Sequence, residues 1–180
     1  MSSTVVLATG GTTINFADAV GPEGRVYSFE FMPDNIDVYH ANVHANPRLQ
    51  NRISLVNKPV WSETGRTMSI VGEGPATQVQ FADIPDAMKV TAITIDDFVE
   101  TAGLPHVDLI KMDIEGAEMN ALKGAARTIE RFKPRIAVCI YHQLFDFYEL
   151  PQFLLGIRED YKLYSGHSTT HGDESVIFAI

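Results

Sequence analysis

The sequence of 180 residues contains a single cysteine and few basic side chains. The one thiol, Cys139, cannot form a disulfide within the chain and lies inside an apolar run, which is typical of a small core residue in a reducing compartment. Lysine and arginine together number 14, against 23 aspartates and glutamates, so the formal net charge is −9. Without a basic stripe to displace counterions from phosphates, the sequence argues against a nucleic-acid partner.

Long apolar stretches, targeting signals and repeats are also missing from the sequence. No apolar segment approaches the length that crosses a bilayer, and the first residues lack the basic-then-apolar pattern of a secretory signal. We therefore expect no membrane association and a cytoplasmic location. Neither a linker nor a low-complexity tract is apparent, and 180 residues with 45% apolar and 21% charged content predict one domain, residues 1–180, with a sizeable core.

The pattern with the clearest meaning lies at residues 107–118. Residues 107–112 are mostly apolar, as expected for a strand that is covered on both faces of a parallel sheet. The apolar spacing then becomes helical, and one helix is predicted to continue until Pro134 stops it. Glu115 and Glu118 are expected in its first turn, where negative charge suits the helix dipole. Its apolar face is predicted to carry Leu122, Ala125, Ala126 and Ile129.

Asp113 stands at the tip of that predicted strand. In open α/β sheets, ligands bind outside the carboxyl ends of the strands, so a carboxylate there is a candidate site residue. For Asp113 we favour a role in the site over capping of the helix. For Glu115 and Glu118, capping of the helix and a role in the site are equally compatible with the sequence.

A βαβ unit is predicted at the start of the chain. Residues 4–7 form a short strand, Gly10 and Gly11 form a turn that lets a ligand approach the backbone, and a helix follows. The next strand, residues 25–30, ends on Glu30. This acid lies about twenty residues beyond the glycines, the spacing at which nucleotide-binding sheets place a carboxylate for ribose hydroxyls.

A small hairpin is predicted as an insertion at about residues 67–81. The alternating runs Thr67–Val71 and 77–81 are joined by a glycine-rich turn and predict two strands outside the main sheet, with which residues 89–94 could pair.

The remaining elements complete an α/β fold. Pro33 and Pro151 are each expected to open a helix, and Asp96 or Asp97 is expected to cap a short one. Strands and helices alternate, which predicts a doubly wound sheet, mostly parallel with one antiparallel strand near the edge and helices on both faces. Further strands are predicted at residues 53–57, 135–141, 161–167 and 174–180.

His142 follows the predicted strand 135–141, one strand over from Asp113. A histidine at the carboxyl end of a strand is well placed for chemistry. It is equally suited to a structural hydrogen bond, and the sequence leaves both interpretations open.

Residues 110–118, Ile-Lys-Met-Asp-Ile-Glu-Gly-Ala-Glu, followed by Leu-Lys-Gly-Ala at 122–125, resemble the signature of the FkbM family of S-adenosylmethionine-dependent methyltransferases. The order of Tyr141, His142, Asp146 and the residues that follow is also similar, and the likeness covers nearly the whole chain, most weakly at the amino end. The resemblance implies a Rossmann-like, seven-stranded methyltransferase fold with S-adenosylmethionine as the cofactor. It also implies a hydroxyl group on a sugar or a macrolide, a polyketide-like small molecule, as the acceptor.

The resemblance implies a role for each cofactor-binding candidate. The backbone-like part of the donor would lie along Gly10 and Gly11. Glu30 would bind the ribose of the donor, and Asn57 would lie near its adenine ring. Asp113 would face the positively charged end of the donor, so we expect Glu30 and Asp113 to face one crevice beside the two glycines.

Methyl transfer to a hydroxyl requires that donor and acceptor be held close together and that the acceptor lose its proton. His142 is the first candidate for the general base because its ordinary pKa lies near neutral pH, and Asp113 is the second. A metal-assisted version would use Asp113, Glu115 and His142 as ligands. Because Asp113 and Glu115 flank a strand-to-helix junction, where side chains need not converge, we expect no metal ion at this site.

Two other functions compete with this interpretation. A nicotinamide-dependent oxidoreductase also uses glycines and an acid after the second strand, but the full G-x-G-x-x-G spacing is absent.

Members of the FkbM family usually carry an acid a few residues before the glycines and more chain upstream, whereas no acid precedes Gly10. The chain would then start late, be a fragment, or have lost part of its cofactor pocket. The alternative function is a truncated or degenerate, non-catalytic binding module.

Overall fold

The computed structural model describes residues 5–9, 12–71, 78–168 and 174–180. The strands in these residues are β1 Val5–Thr9, β2 Arg25–Phe29, β3 Ile53–Val56, β4 Thr67–Val71, β5 Gln78–Gln80, β6 Met88–Thr91, β7 Leu109–Met112, β8 Arg135–Cys139, β9 Leu163–His167 and β10 Ser175–Ala179. The α-helices are α1 Thr13–Ala19, α2 Pro33–Ala45, α3 Ile95–Thr101, α4 Glu118–Lys123, α5 Ala126–Phe132 and α6 Asp146–Ile157.

Seven strands form the main sheet, in the order β3-β2-β1-β7-β8-β10-β9. The pairs from β3 to β8 are parallel, and β10 is antiparallel to both of its neighbours. This confirms the prediction of a seven-stranded, mostly parallel Rossmann-like sheet with one antiparallel strand. Because the parallel strands run in register, β2, β7 and β8 end at the same edge of the sheet, where Glu30, Asp113 and His142 follow them.

Apolar side chains cover both faces of the main sheet. Successive residues of a strand point to opposite faces, and Val6 and Leu7 of β1 accordingly enter two different apolar clusters. Val6 packs with Ala17 of α1, whereas the cluster of Leu7 includes buried residues of α3, α4, α5 and α6. Helices on both faces were predicted, and this is confirmed. None of the described helices is long and apolar enough to cross a membrane.

A small second sheet contains β5, β4 and β6, with β4 in the centre and antiparallel to both neighbours. The predicted hairpin of β4 and β5 is therefore confirmed, together with its pairing to β6, while the turn at 72–77 lies outside the described residues. The β6 strand passes close to the end of β3, so the small sheet borders the edge at which the candidate site residues lie.

The prediction of a single helix after Asp113 is wrong, because the chain forms two short helices, α4 and α5, with a break at Gly124 and Ala125. A Cβ atom on Gly124 would lie 2.1 Å from the carbonyl oxygen of Trp61, so the backbones of these two residues are in direct contact. The Gly124 carbonyl also accepts a hydrogen bond from Asp96 N. The break therefore comes from tertiary contacts with the segments before α4.

Two helix starts also differ from the predictions. Thr94, not Asp96 or Asp97, caps α3 by accepting a hydrogen bond from Asp97 N at 3.0 Å. The Asp96 carboxylate instead caps α5, where it accepts hydrogen bonds from the backbone N–H groups of Arg127 and Thr128. Pro151 does not open α6 but lies inside it, since the helix begins at Asp146.

Substitution of Gly124 by alanine tests the contact that divides α4 from α5. The added methyl group would lie 2.1 Å from Trp61 O, and we expect the free energy of unfolding to fall by about 2 kcal/mol because the backbones must separate. The matched control is Gly156→Ala in α6, where nothing lies within 4 Å of the added carbon. We expect this control to gain up to about 1 kcal/mol from helix propensity. Urea unfolding measures both variants, and equal stabilities would contradict the proposed contact.

Candidate functional site

The junction between β7 and α4 is a tight left-handed turn. Glu115 and Gly116 have φ angles of 54° and 93°, a conformation that costs a non-glycine residue about 1 kcal/mol or more. A Cβ atom on Gly116 would lie 2.4 Å from Nε2 at the end of the flexible Gln143 side chain, which can move aside, so it is the positive φ angle that favours glycine here. The turn corrects one expectation, because Glu115 precedes α4 and Glu118 is its first residue.

Glu118 and Glu115 lie in opposite environments. The Glu118 side chain is 0% exposed, and its Oε1 accepts a hydrogen bond from Ile114 N at 2.9 Å. The Glu115 side chain is 89% exposed. Of the two acids that the sequence left undecided, Glu118 therefore stabilises the junction from inside the protein.

Asp113 lies at the tip of β7 in a hydrogen-bonded network. Its Oδ2 accepts a bond from Lys111 Nζ at 2.9 Å, and its Oδ1 accepts one from the Tyr141 hydroxyl at 3.2 Å. Burial raises the pKa of Asp113, but the bond and charge of Lys111, with smaller contributions from Cys139 and His142, outweigh it and hold the pKa below its ordinary value. Asp113 is therefore an ionised carboxylate at neutral pH.

His142 is surrounded by carboxylates. Its Nδ1 lies 2.8 Å from Glu118 Oε1, and its Nε2 lies 3.5 Å from Glu115 Oε2 and 3.7 Å from Asp113 Oδ1. The side chain is only 6% exposed. Burial alone lowers the pKa of His142, but the three carboxylates, Glu118 first, outweigh burial and raise the pKa above its ordinary value. The imidazolium form is stabilised here.

Two neighbours of this cluster keep their protons. Burial and the charge of Asp113 raise the pKa of Tyr141 far above its ordinary range, so its hydroxyl remains a hydrogen-bond donor. The same two causes raise the pKa of the Cys139 thiol to about 12. Neither group is therefore a nucleophile at neutral pH.

Glu30 follows β2 and has a fixed orientation. Its Oε1 accepts bonds from the backbone N–H groups of Phe31 and Met32, at 2.7 and 2.9 Å, and its Oε2 accepts one from Asn35 Nδ2 at 3.0 Å. It borders a cavity of about 200 Å³ between α1, β2 and α2. An ionised carboxylate offers about four acceptor positions, so the described residues leave one for a ligand hydroxyl.

Asn57 follows β3 and borders a second cavity, of about 470 Å³. Phe31 and Ile36 provide apolar walls on the side of β2 and α2, and Met88 and Val90 of β6 provide the facing wall. Charged and polar side chains complete the lining, namely Asp37, Lys58, Lys89 and Thr91. The cavity therefore combines apolar walls with polar groups and has room for a flat ring that carries both.

The structure brings some predicted site residues together and separates others. Asp113 and His142 lie in one cluster, whereas Glu30 and Asn57 border two different cavities. Glu30 and Asp113 follow strands on either side of β1, and each has its own hydrogen-bond partners. Gly10 and Gly11, which the sequence places between them, lie outside the described residues, so the expected shared crevice stays a prediction.

Sequence reasoning missed the partners of the candidate residues. Lys111 carried a detectable signal, since residues two apart on a strand point to the same face as Asp113. Tyr141 carried none, because its contact with Asp113 joins segments far apart in the chain. Glu118 was already a candidate from the sequence, but its contact with His142 could not be predicted, for the same reason. Among the described residues, no group of three or more His, Cys, Asp or Glu side chains is arranged to hold a metal ion.

Comparisons with known proteins agree on the type of fold. A family model for the methyltransferase FkbM domain matches residues 5–163. No curated protein sequence matches the chain. The methyltransferase FkbM from Methylobacillus flagellatus KT is 25% identical, with a TM-score of 0.72, and the match covers 100% of this chain and 44% of that one. The chain thus spans less than half the length of that relative.

Two more distant structures share the fold alone. Precorrin-6y C5,15-methyltransferase from Geobacter metallireducens GS-15 is 14% identical with a TM-score of 0.56, covering 99% of this chain and 79% of that one. Fibrillarin from Aeropyrum pernix, solved with natively bound S-adenosyl-L-methionine, is 16% identical with a TM-score of 0.56, covering 99% and 67%.

The charge on His142 gives a testable pH dependence of stability. Because its folded-state pKa is raised, its contribution to the free energy of unfolding is complete below the ordinary histidine value of 6.5 and is lost as the pH rises through the folded-state pKa. We expect the difference in stability between wild type and His142→Gln to shrink as the pH rises above 6.5. Urea unfolding over this range measures it. The control His40→Gln makes the same substitution at an exposed histidine of α2. A His142→Gln difference that stays constant over this pH range would contradict the interpretation.

Proposed function

Because the chain belongs to the FkbM methyltransferase family, we propose that it transfers a methyl group from S-adenosylmethionine to a hydroxyl group of a small molecule, a sugar or a polyketide-like compound. The observation that carries the proposal is the cluster of His142 and Asp113 at the carboxyl edge of the sheet, with Glu30 following β2 at the same edge.

The chain's residues fit such a donor. Glu30 is held in one orientation by two backbone N–H groups and Asn35, and it retains an acceptor position for a ribose hydroxyl. Asn57 and the apolar walls formed by Phe31 and Ile36 suit an adenine ring. When bound, S-adenosylmethionine supplies the methyl group as a substituent of a positively charged sulfonium.

Asp113 supplies a negative charge that suits a cationic ligand. Its lowered pKa keeps it ionised at neutral pH, and its bonds to Lys111 and Tyr141 fix its position. An ionised side chain that is already oriented stabilises a nearby positive charge without further reorganisation.

His142 acts as the general base in this proposal, with Asp113 as the second candidate. The base must be neutral to accept the hydroxyl proton, and the carboxylates around His142 raise its pKa. Turnover is therefore expected to rise with pH through a value above that of an ordinary histidine.

The surface beside His142 supports an acceptor with an apolar part. The segment that begins two residues after His142 carries several large apolar side chains that are exposed to solvent. Such a patch at the margin of a site is suited to bind part of a ligand. The exposed side chains are Leu144, Phe145, Phe147 and Tyr148.

The setting of the reaction follows from composition and chemistry. The acidic sequence, with a net charge of −9, supports a small molecule over nucleic acid as the acceptor. Cys139 is buried and unpaired, which supports a reducing cytoplasm. We propose that residues 1–180 form a single methyltransferase domain.

Calorimetry with S-adenosylmethionine and its demethylated product tests the proposed donor site. We expect both to bind, and Glu30→Gln to weaken binding by about tenfold because a charge-assisted hydrogen bond is lost. The matched control is Glu23→Gln, the same substitution at the exposed turn before β2, for which we expect unchanged affinity. If the wild type bound neither compound, the non-catalytic alternative would hold.

Replacement of the base tests the proposed chemistry. We expect His142→Gln to reduce turnover of a hydroxyl acceptor by about 10²- to 10⁴-fold, with little change in donor affinity. His40→Gln serves as the control for loss of a histidine, and the assay includes a chelator because the proposed reaction needs no metal. Turnover that is unchanged in His142→Gln over a pH series would exclude His142 as the base.

A further inference from the structure

The proposed function gives no role to the Glu118 side chain. The Glu118 carboxylate is 0% exposed, and a buried charge is costly unless a group of opposite charge lies beside it. Among the described residues, the cationic group within ion-pair distance of Glu118 is His142. The two residues therefore depend on each other.

The position of Glu118 is fixed by the backbone that also carries Asp113. Its Oε1 accepts a hydrogen bond from Ile114 N at 2.9 Å and lies 2.8 Å from His142 Nδ1. Its Oε2 is buried and has no hydrogen-bond partner among the described residues. Glu118 can therefore strengthen its contact with His142 without leaving another group unpaired.

The two ring nitrogens of His142 have different surroundings. Nδ1 lies against Glu118, whereas Nε2 lies on the side of Asp113 and Glu115. Neither N–H direction is aligned with an acceptor in this structure. Catalytic hydrogen bonds are often poorly aligned before substrate binds and become shorter and straighter afterwards.

We propose that Glu118 is the positioning residue for His142: its buried carboxylate holds a proton on Nδ1 and orients the ring, so that Nε2 is the nitrogen that accepts the proton of the acceptor hydroxyl. This inference rests on the proposed function. As the hydroxyl oxygen forms its new bond to carbon, its proton moves to Nε2 and the leaving electron pair stays on the donor sulfur. The imidazolium that results is stabilised by Glu118 and later returns the proton to solvent.

Several other charged groups face His142, but none is equivalent to Glu118. Glu115 is 89% exposed, so solvent screens its charge. The Asp113 charge is shared with Lys111 and Tyr141. Asp146 of α6 interacts with His142 through its charge, and its Oδ2 accepts a bond from Gln143 N. The Glu118 carboxylate, in contrast, is fully buried, and its Oε1 lies 2.8 Å from His142 Nδ1.

The substitution Glu118→Gln separates charge from shape. Glutamine has nearly the same volume and can still accept the hydrogen bond from Ile114 N, so the junction is expected to fold. We expect the titration of the His142 imidazole, followed by NMR in the free protein, to move to lower pH. The rising limb of the pH–rate profile is expected to move in the same direction, and turnover on its plateau to fall by at least about tenfold.

Two carboxylate controls sharpen the comparison. Glu115→Gln makes the same chemical change at 3.5 Å from Nε2, and we expect a smaller movement of the His142 titration because that carboxylate is exposed. Glu159→Gln removes an exposed carboxylate in the loop after α6 and is expected to leave the titration unchanged. Should Glu118→Gln fail to fold, Glu118→Asp is the second variant, because it keeps the negative charge. We expect the His142 titration in Glu118→Asp to remain displaced to higher pH, as in the wild type.

The proposal and the proposed function fail in different ways. If the His142 titration is the same in wild type and Glu118→Gln, Glu118 is only structural and the proposal is overturned. The same holds if turnover falls equally at every pH while the rising part of the pH–rate profile stays at the same pH. If a folded Glu118→Asp loses the upward displacement of the titration, the proposal is also overturned. Failure of the wild type to bind the donor would instead contradict the proposed function, while the NMR titration would still decide whether Glu118 controls His142.

Discussion

The candidate site depends on the left-handed turn at Glu115 and Gly116. Two consecutive residues with positive φ reverse the chain directly after β7, and the turn places the first residue of α4 under the tip of the strand that it follows. Gly116 suits this turn because its φ angle of 93° is one that residues with a side chain rarely adopt. The backbone strain at Glu115 is offset by what the turn permits: Asp113 and Glu118 approach His142 from two sides.

Electrostatic balance explains why this cluster is stable and why it suits proton transfer. Three carboxylates near one imidazole would repel each other if no positive charge lay among them. Lys111 neutralises part of the Asp113 charge, solvent screens Glu115, and His142 is left to balance Glu118. The same arrangement raises the pKa of His142 and lowers that of Asp113. The surroundings therefore favour the ionised form of Asp113 and the protonated form of His142, a division that suits one residue that faces a cation and one that exchanges a proton.

The segments around the cluster are connected by backbone contacts as well as by side chains. Gly124 lies against Trp61, and Asp96 accepts hydrogen bonds from two residues at the start of α5, 31 and 32 positions further along the chain. Glu30 is held by the N–H groups of the two residues that follow it. Glu30 and the cluster around His142 thus lie in connections that follow strands at one edge of the sheet, a placement that suits the positioning of a donor and an acceptor.

The sequence by itself determined the sheet, its mostly parallel order and the residues at its carboxyl edge, because apolar periodicity and the alternation of strand and helix are local properties of the chain. Asp113, Glu30 and His142 could be predicted as strand-tip residues for that reason. Only the tertiary structure decided that Glu118 is buried beside His142, that the helix after β7 divides at Gly124, and that Asp96 caps α5. Each of these depends on a contact between segments that are distant in sequence, and no local pattern records which distant group will fill the space.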